Sequence, residues 1–204
     1  MKSMYIGSGD VHALLMGKDT KGHQLLLSRF VSDEKPYYNA VNSPIDAFRT
    51  GAILEGKYFE TLGDDYFAQV VVQSEEMDVF KCSLDFAKIE GGRVVWFKEL
   101  KTVTFTDFLE IEPIRNADQA EQVKFVQKTY KYYYNQIQQQ MYCTGSDAAE
   151  MVFLAVYSYE DEENYTRDIK PNEYISVVIP RDEQVIQKIK DAANIFQLLK
   201  NHYK

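Results

Sequence analysis

Between two β-rich runs, Val79 to Ile89 and Arg93 to Thr104, the chain places Gly91-Gly92. Two successive glycines accept positive φ, and between β-branched and aromatic residues they mark a hairpin turn. A hairpin gives the polar residues of its strands defined neighbours, so its register decides what they can do. A two-residue turn pairs Glu90 with Arg93 and sets Asp85 opposite Lys98, on the wrong face from Glu99. A three-residue loop, Gly91-Gly92-Arg93, pairs Glu90 with Val94 and sets Asp85 across from Glu99. The expectation is the longer loop, which gathers Asp85, Glu99 and Lys101 on one face because residues two apart in a strand point the same way.

Around the hairpin the hydrophobic period changes twice. Ser8 or Asp10 caps a short helix through Val11, Leu14 and Leu15. A second apolar group follows at Leu25, Leu26, Leu27 and Phe30, and then a loop around Lys35-Pro36 and Ser43-Pro44. A helix over Ile45–Leu62 carries Phe48, Ala52, Leu54, Tyr58, Phe59 and Leu62 and ends near Gly63; Gln69 to Val72 reads as a strand. From Asn116 to Tyr142 a single long helix buries Val123, Val126, Tyr130, Tyr133, Tyr134, Ile137 and Met141, with Gly145 as its stop signal and Gln138 and Gln139 on its solvated side. Strands at Glu150–Tyr159 and Tyr174–Ile179 follow, and Pro180 opens a C-terminal helix. No repeat or linker interrupts the chain. The expectation is one mixed α/β (α+β) domain over 1–204, with a central mixed sheet, flanking helices and a largely helical part over 1–66.

Composition narrows the function. A net charge of −8 argues against a protein that coats nucleic acid through bulk positive charge. It leaves open an enzyme that grips nucleic acid locally, since carboxylate metal sites themselves lower the charge. The longest apolar run, Met151 to Val156, is strand-sized, far short of the ~20 residues of a membrane helix. The N-terminus shows no apolar signal core, and Cys82 and Cys143 make neither a disulfide framework nor a four-thiolate site; both imply a cytoplasmic protein. His12, His23 and His202 lack ligand spacing, no phosphate-cradling loop is present, and Glu160 to Glu163 reads as a solvated loop.

An acidic residue two before a lysine occurs at Asp19/Lys21, Asp33/Lys35, Glu55/Lys57, Glu99/Lys101 and Asp168/Lys170, and only Glu99-Leu100-Lys101 lies inside a strand. Such a set reads either as a surface ion pair of little energetic weight or as a Mg²⁺ site. Hard divalent cations take carboxylate oxygens, keep several waters and suit water attack on phosphate, while a lysine orients or helps deprotonate the water and stabilises the developing charge. Spacing alone leaves both readings open.

Three stretches carry a resemblance: Cys82-Ser83-Leu84-Asp85, Glu99-Leu100-Lys101, and Tyr133 to Gly145 with its Gln-x-Gln and trailing Thr-Gly. With Gly51-Ala52-Ile53-Leu54-Glu55 and the segment Ile6 to His12, they are similar to the phage lambda exonuclease/YqaJ-type viral recombinase family of the PD-(D/E)XK nuclease superfamily. Leu84 and Phe86 flank Asp85 where that family commonly has Pro or Ala and Gly. The resemblance implies a restriction-endonuclease-like core and a 5′–3′ exonuclease of duplex DNA ends used in recombination. Its cofactor would be Mg²⁺, or Mn²⁺ in its place. Asp85 and Glu99 would be metal ligands with the Leu100 carbonyl, Lys101 the catalytic lysine, Glu55 an aid to a second metal or a water, and Gln136 part of the active-site face. Tyr133, Gln140 and Ser8 would meet DNA, with Arg29 or Arg49 as a further phosphate contact. It also implies a homotrimeric ring and a single-strand annealing protein as partner. A nuclease-fold protein that binds ends or a partner with little catalysis, and a PD-(D/E)XK endonuclease, are the alternatives.

Overall fold

A computed structural model describes residues 4–31, 45–157 and 166–202. The expected loop around Lys35-Pro36 and Ser43-Pro44, and the acidic run Glu160 to Glu163, lie outside them. Five strands form one sheet in sequence order: β1 (Tyr66–Gln73), β2 (Lys81–Glu90), β3 (Arg93–Thr104), β4 (Ala148–Val156) and β5 (Tyr174–Pro180). Neighbours are antiparallel except β3 and β4, which run parallel. A parallel pair needs a crossover, and α4 (Phe105–Ile111), α5 (Gln119–Thr129) and α6 (Lys131–Thr144) supply it.

The sheet is covered on both faces. One face meets α6, α1 (Val11–Leu15), α2 (Lys21–Val31) and α7 (Glu183–His202) in the larger core. Against the other, α3 (Ile45–Glu60) places Leu54 and Tyr58 on Phe86, Leu100, Val152 and Leu154. This explains the longest apolar run. In β4, Met151, Phe153 and Ala155 enter the larger core while Val152, Leu154 and Val156 enter the smaller, so no position needs a polar residue. Among the described residues no helix is long and apolar enough to cross a membrane.

The hairpin corrects one expectation and keeps its consequence. Gly91 (φ 56°) and Gly92 (φ 79°) form a two-residue turn with Glu90 opposite Arg93, not a three-residue loop. Positive φ at both central residues matches the twist of the flanking strands. One bulge follows, because Ile89 pairs with Val94 but Lys88 with Trp96, leaving Val95 as the extra residue. From there Phe86 pairs with Lys98, and the same register sets Asp85 level with Glu99.

The single helix expected over Asn116–Tyr142 is two helices. They meet at Tyr130, whose backbone (φ −117°, ψ 43°) is not helical. No proline or glycine marks the break, and Tyr130 packs at 4.9 Å on Phe153. Gln138 and Gln139, expected on a solvated side, are fully buried. Gln138 donates to Pro180 O at 2.9 Å and accepts from the Asp182 amide at 2.8 Å. Asp182 in turn caps α7 by accepting from the Gln184 and Val185 amides. The glutamine belongs to the core because it ties α6 to the start of α7.

At its far end α6 stops as expected: Gly145 (φ 74°) donates to Met141 O at 2.9 Å. A Cβ there would meet nothing within 4 Å, so only the left-handed backbone opposes substitution. Gly145→Ala is therefore expected to lower the unfolding free energy by about 1–2 kcal/mol in urea titration. An unchanged midpoint would contradict this.

Candidate active site

The site forms where β2 and β3 separate. In a regular strand Leu84 and Phe86 share a face, but here Leu84 packs in the larger core and Phe86 in the smaller. The strand changes phase at Asp85. Its side chain turns to β3, where Oδ2 accepts the Leu100 amide at 2.8 Å. Large apolar residues on both sides of Asp85 are thus the sequence trace of this phase change.

On β3 the alternation is regular. Leu100 joins the α3 side, and Glu99 and Lys101 face α6. Glu99 is 2% exposed. Burying a carboxylate is costly unless it is paired and hydrogen-bonded. Its Oε1 accepts from Lys101 Nζ at 2.7 Å and Gln136 Nε2 at 2.6 Å, and its Oε2 from Gln140 Nε2 at 2.7 Å. Gln136 and Gln140 are one helical turn apart, so both reach one carboxylate from the same face of α6.

The expected residues therefore divide into groups. Asp85, Glu99, Lys101 and Gln136 converge. Gln140 joins them from a fully buried position, also donating to Ser83 O at 3.2 Å, so it lies inside the cluster instead of on a DNA-facing surface. Tyr133 is half-buried beside the cluster, with Lys101 Nζ 5.0 Å from its ring centroid. Glu55, on α3, accepts from Gln69 Nε2. Ser8 is buried in a single 3₁₀ turn that packs against α6 and β2, and Arg29 is occupied by Asp10 at 2.7 Å. Ile137 is core, as its stripe implies, and so is Cys143. Gln69 and Ser83 join the site without any trace in residue type or spacing, since an exposed glutamine in an edge strand gives no signal of its own.

The charges oppose one another. Burial, followed by the charge of Glu99, pushes the Asp85 carboxyl well above its ordinary range, although Lys101 counteracts. Burial raises Glu55 as well, and the Glu99 charge adds to it. Burial alone would lower Lys101, but Glu99 and Asp85 outweigh it and hold the ammonium above its ordinary value. Acidic groups that repel one another around one ammonium leave a deficit of positive charge. That deficit suits a cation.

Among the described residues no group of three His, Cys, Asp or Glu side chains encloses a metal position. The donor set is instead an open pair, Asp85 and Glu99. A carboxylate has about four lone-pair sites; Glu99 gives three to the contacts above, and Asp85 gives one to Leu100. Two hard oxygen donors with spare capacity fit Mg²⁺, which keeps several of its waters.

No family model and no curated protein matches the chain. Solved structures do. An alkaline exonuclease from Laribacter hongkongensis superposes with a TM-score of 0.60 at 16% identity, over 98% of this chain and 90% of that one. The same enzyme in complex with dAMP gives a TM-score of 0.61 at 16% identity, over 98% and 90%. A phage-related exonuclease from Haemophilus somnus gives 0.60 at 13% identity, over 98% of this chain and 94% of that one. The fold of this chain is that of these nuclease structures.

A group whose folded pKa is raised contributes stability that is complete below its unfolded pKa and is lost as pH rises through the folded one. In EDTA the wild type should thus lose stability relative to Asp85→Asn as pH rises from 4 to 8, because the amide stays neutral and its oxygen can still accept from Leu100. At pH 8 the variant is expected to melt higher by at least about 2 °C, the shift that ~1 kcal/mol produces at this chain length. Parallel pH profiles in thermal denaturation would contradict the raised Asp85.

Proposed function

We propose that this chain is a Mg²⁺-dependent deoxyribonuclease that degrades duplex DNA from its ends, 5′ to 3′, in recombination. The observation that carries it is the meeting of Asp85, Glu99 and Lys101 at the splay of β2 and β3, in a fold shared with exonucleases. Asp85 and Glu99, with the Leu100 carbonyl, would hold the ion. A divalent cation held there would supply polarisation of the phosphate and a more acidic bound water.

The chain's own groups do the remaining work. Gln136 and Gln140 fix the Glu99 carboxylate, so its orientation is set before substrate arrives. Lys101 Nζ, held 2.7 Å from Glu99 Oε1, is placed to orient the attacking water and to donate to the negative phosphoryl oxygens. The Tyr133 ring lies against Lys101 and stacks on Tyr130 at 6.0 Å and 9°, an aromatic wall that restricts the ammonium. Sequence-independent grip on the DNA backbone needs little bulk positive charge if a homotrimeric ring encloses the duplex, and a single-strand annealing protein would take up the strand exposed.

End-labelled duplex incubated with protein and Mg²⁺ should be degraded from its ends, EDTA should stop it, and covalently closed circles should survive. Cleaved circles would indicate an endonuclease, and intact duplex at high protein concentration would sink the enzymatic reading. Lys101→Ala should keep metal binding yet lose about 10²–10³ in turnover, as removal of a group that stabilises developing charge does. A near-normal rate would return Lys101 to a structural ion pair.

A further inference from the structure

Gln69 is the non-glycine residue with positive φ among the described residues, at 53°. It lies within the edge strand β1, between the pairs Ala68–Phe86 and Val70–Leu84, and so stands directly across from Asp85. Both strands depart from regularity at the same level. A residue with a Cβ holds a left-handed backbone only where its surroundings impose it, and such residues gather at functional sites.

The side chain shows what the conformation achieves. Gln69 Nε2 donates to Glu55 Oε1, and its Oε1 accepts from Ser83 Oγ at 3.2 Å. The Ser83 carbonyl accepts from Gln140 Nε2 at 3.2 Å, and that nitrogen also reaches Glu99 Oε2 at 2.7 Å. One continuous belt, Glu55–Gln69–Ser83–Gln140–Glu99, thus joins the α3 carboxylate to the buried carboxylate of β3. A freely rotating Glu55 has no reason to stay beside the site. Belted, it stays close enough to Asp85 for its charge to raise that carboxyl.

We propose that Gln69 is a positioning residue, which aims the Glu55 carboxylate at the Asp85–Glu99 centre; the inference rests on the nuclease reading above. An amide suits this task chemically. It orients the carboxylate without neutralising it, so the negative charge remains available to a cation or to a water on one. A lysine would compete with the cation, and an acid would repel Glu55.

The test uses the full chain with Mn²⁺ as the metal probe. Gln69→Gly accepts the left-handed backbone and deletes the amide. Gln69→Asn tolerates the same backbone and is one methylene too short to span both partners. Each is compared with Glu55→Gln and with the Gln69→Gly/Glu55→Gln double variant by calorimetric Mn²⁺ titration and by kcat and KM on duplex DNA. The Gln69 variants should melt no lower than wild type, bind Mn²⁺ about 10-fold more weakly and lose about 10–100-fold in kcat at unchanged KM, the scale for outer partners of metal-binding groups. In the Glu55→Gln background, Gln69→Gly should add nothing, since it acts through Glu55. Wild-type affinity and kcat in both variants, or losses that multiply with Glu55→Gln, overturn the inference while leaving the nuclease reading intact. A wild-type chain that binds no Mn²⁺ and cleaves no DNA removes the reading, and the inference with it. If Gln69→Gly fails to fold, Gln69→Asn decides by the same readouts.

Discussion

A carboxylate buried between a sheet and a helix governs this structure. Glu99 is withdrawn from water to 2% exposure, and an uncompensated charge there would unfold the region instead of supporting it. Its hydrogen bonds come from Lys101 on its own strand and from Gln136 and Gln140 on α6. Charge-assisted bonds are worth roughly 1.5–3 kcal/mol each, and they serve only if α6 lies at the right height over β3. Much of the fold fixes that height. Gly145 ends the helix, Arg181 also donates to the Met141 carbonyl at 2.8 Å, and Gln138 and Tyr134 hold Asp182 at the start of α7.

The same arrangement is electrostatically unfavourable without a counter-ion, and this is its functional content. Burial and the charge of Glu99 raise the Asp85 and Glu55 carboxyls, and Lys101 answers only part of that charge. Structural ion pairs ordinarily balance. Repulsion stored inside an otherwise well-packed sheet costs some stability and marks this cluster as a candidate functional site. On the proposed nuclease reading, a net charge of −8 requires the hold on DNA to be local.

Much of this was legible in the sequence, and the exceptions have physical reasons. Strand β3 was read with its observed bounds because Gly91-Gly92 anchors it, and Asp85 was placed level with Glu99. The register arose otherwise than expected: a two-residue turn and a bulge at Val95 add the same single residue that a longer loop would have added. Pairing sums alone do not distinguish the two, since a bulge has no residue signature at an exposed valine. The division of α5 from α6 at Tyr130 was hidden because the apolar stripe continues across it. Gln138 and Gln139 were assigned to solvent on residue type, which overlooks that a fully buried amide is stable when the neighbouring backbone offers partners, as Pro180 and Asp182 do for Gln138. Gln69 was hidden more deeply, because its role depends on a left-handed backbone that no neighbouring residue announces.

The proposed function stands on Asp85 and Glu99 as the ion-binding pair. Crystals of the full chain grown with Mn²⁺ and measured at the manganese absorption edge test it directly. The account predicts one dominant anomalous peak within about 2.0–2.3 Å of a carboxylate oxygen of each residue, with waters completing an octahedral shell. A peak seated elsewhere, or none at saturating Mn²⁺, would contradict it.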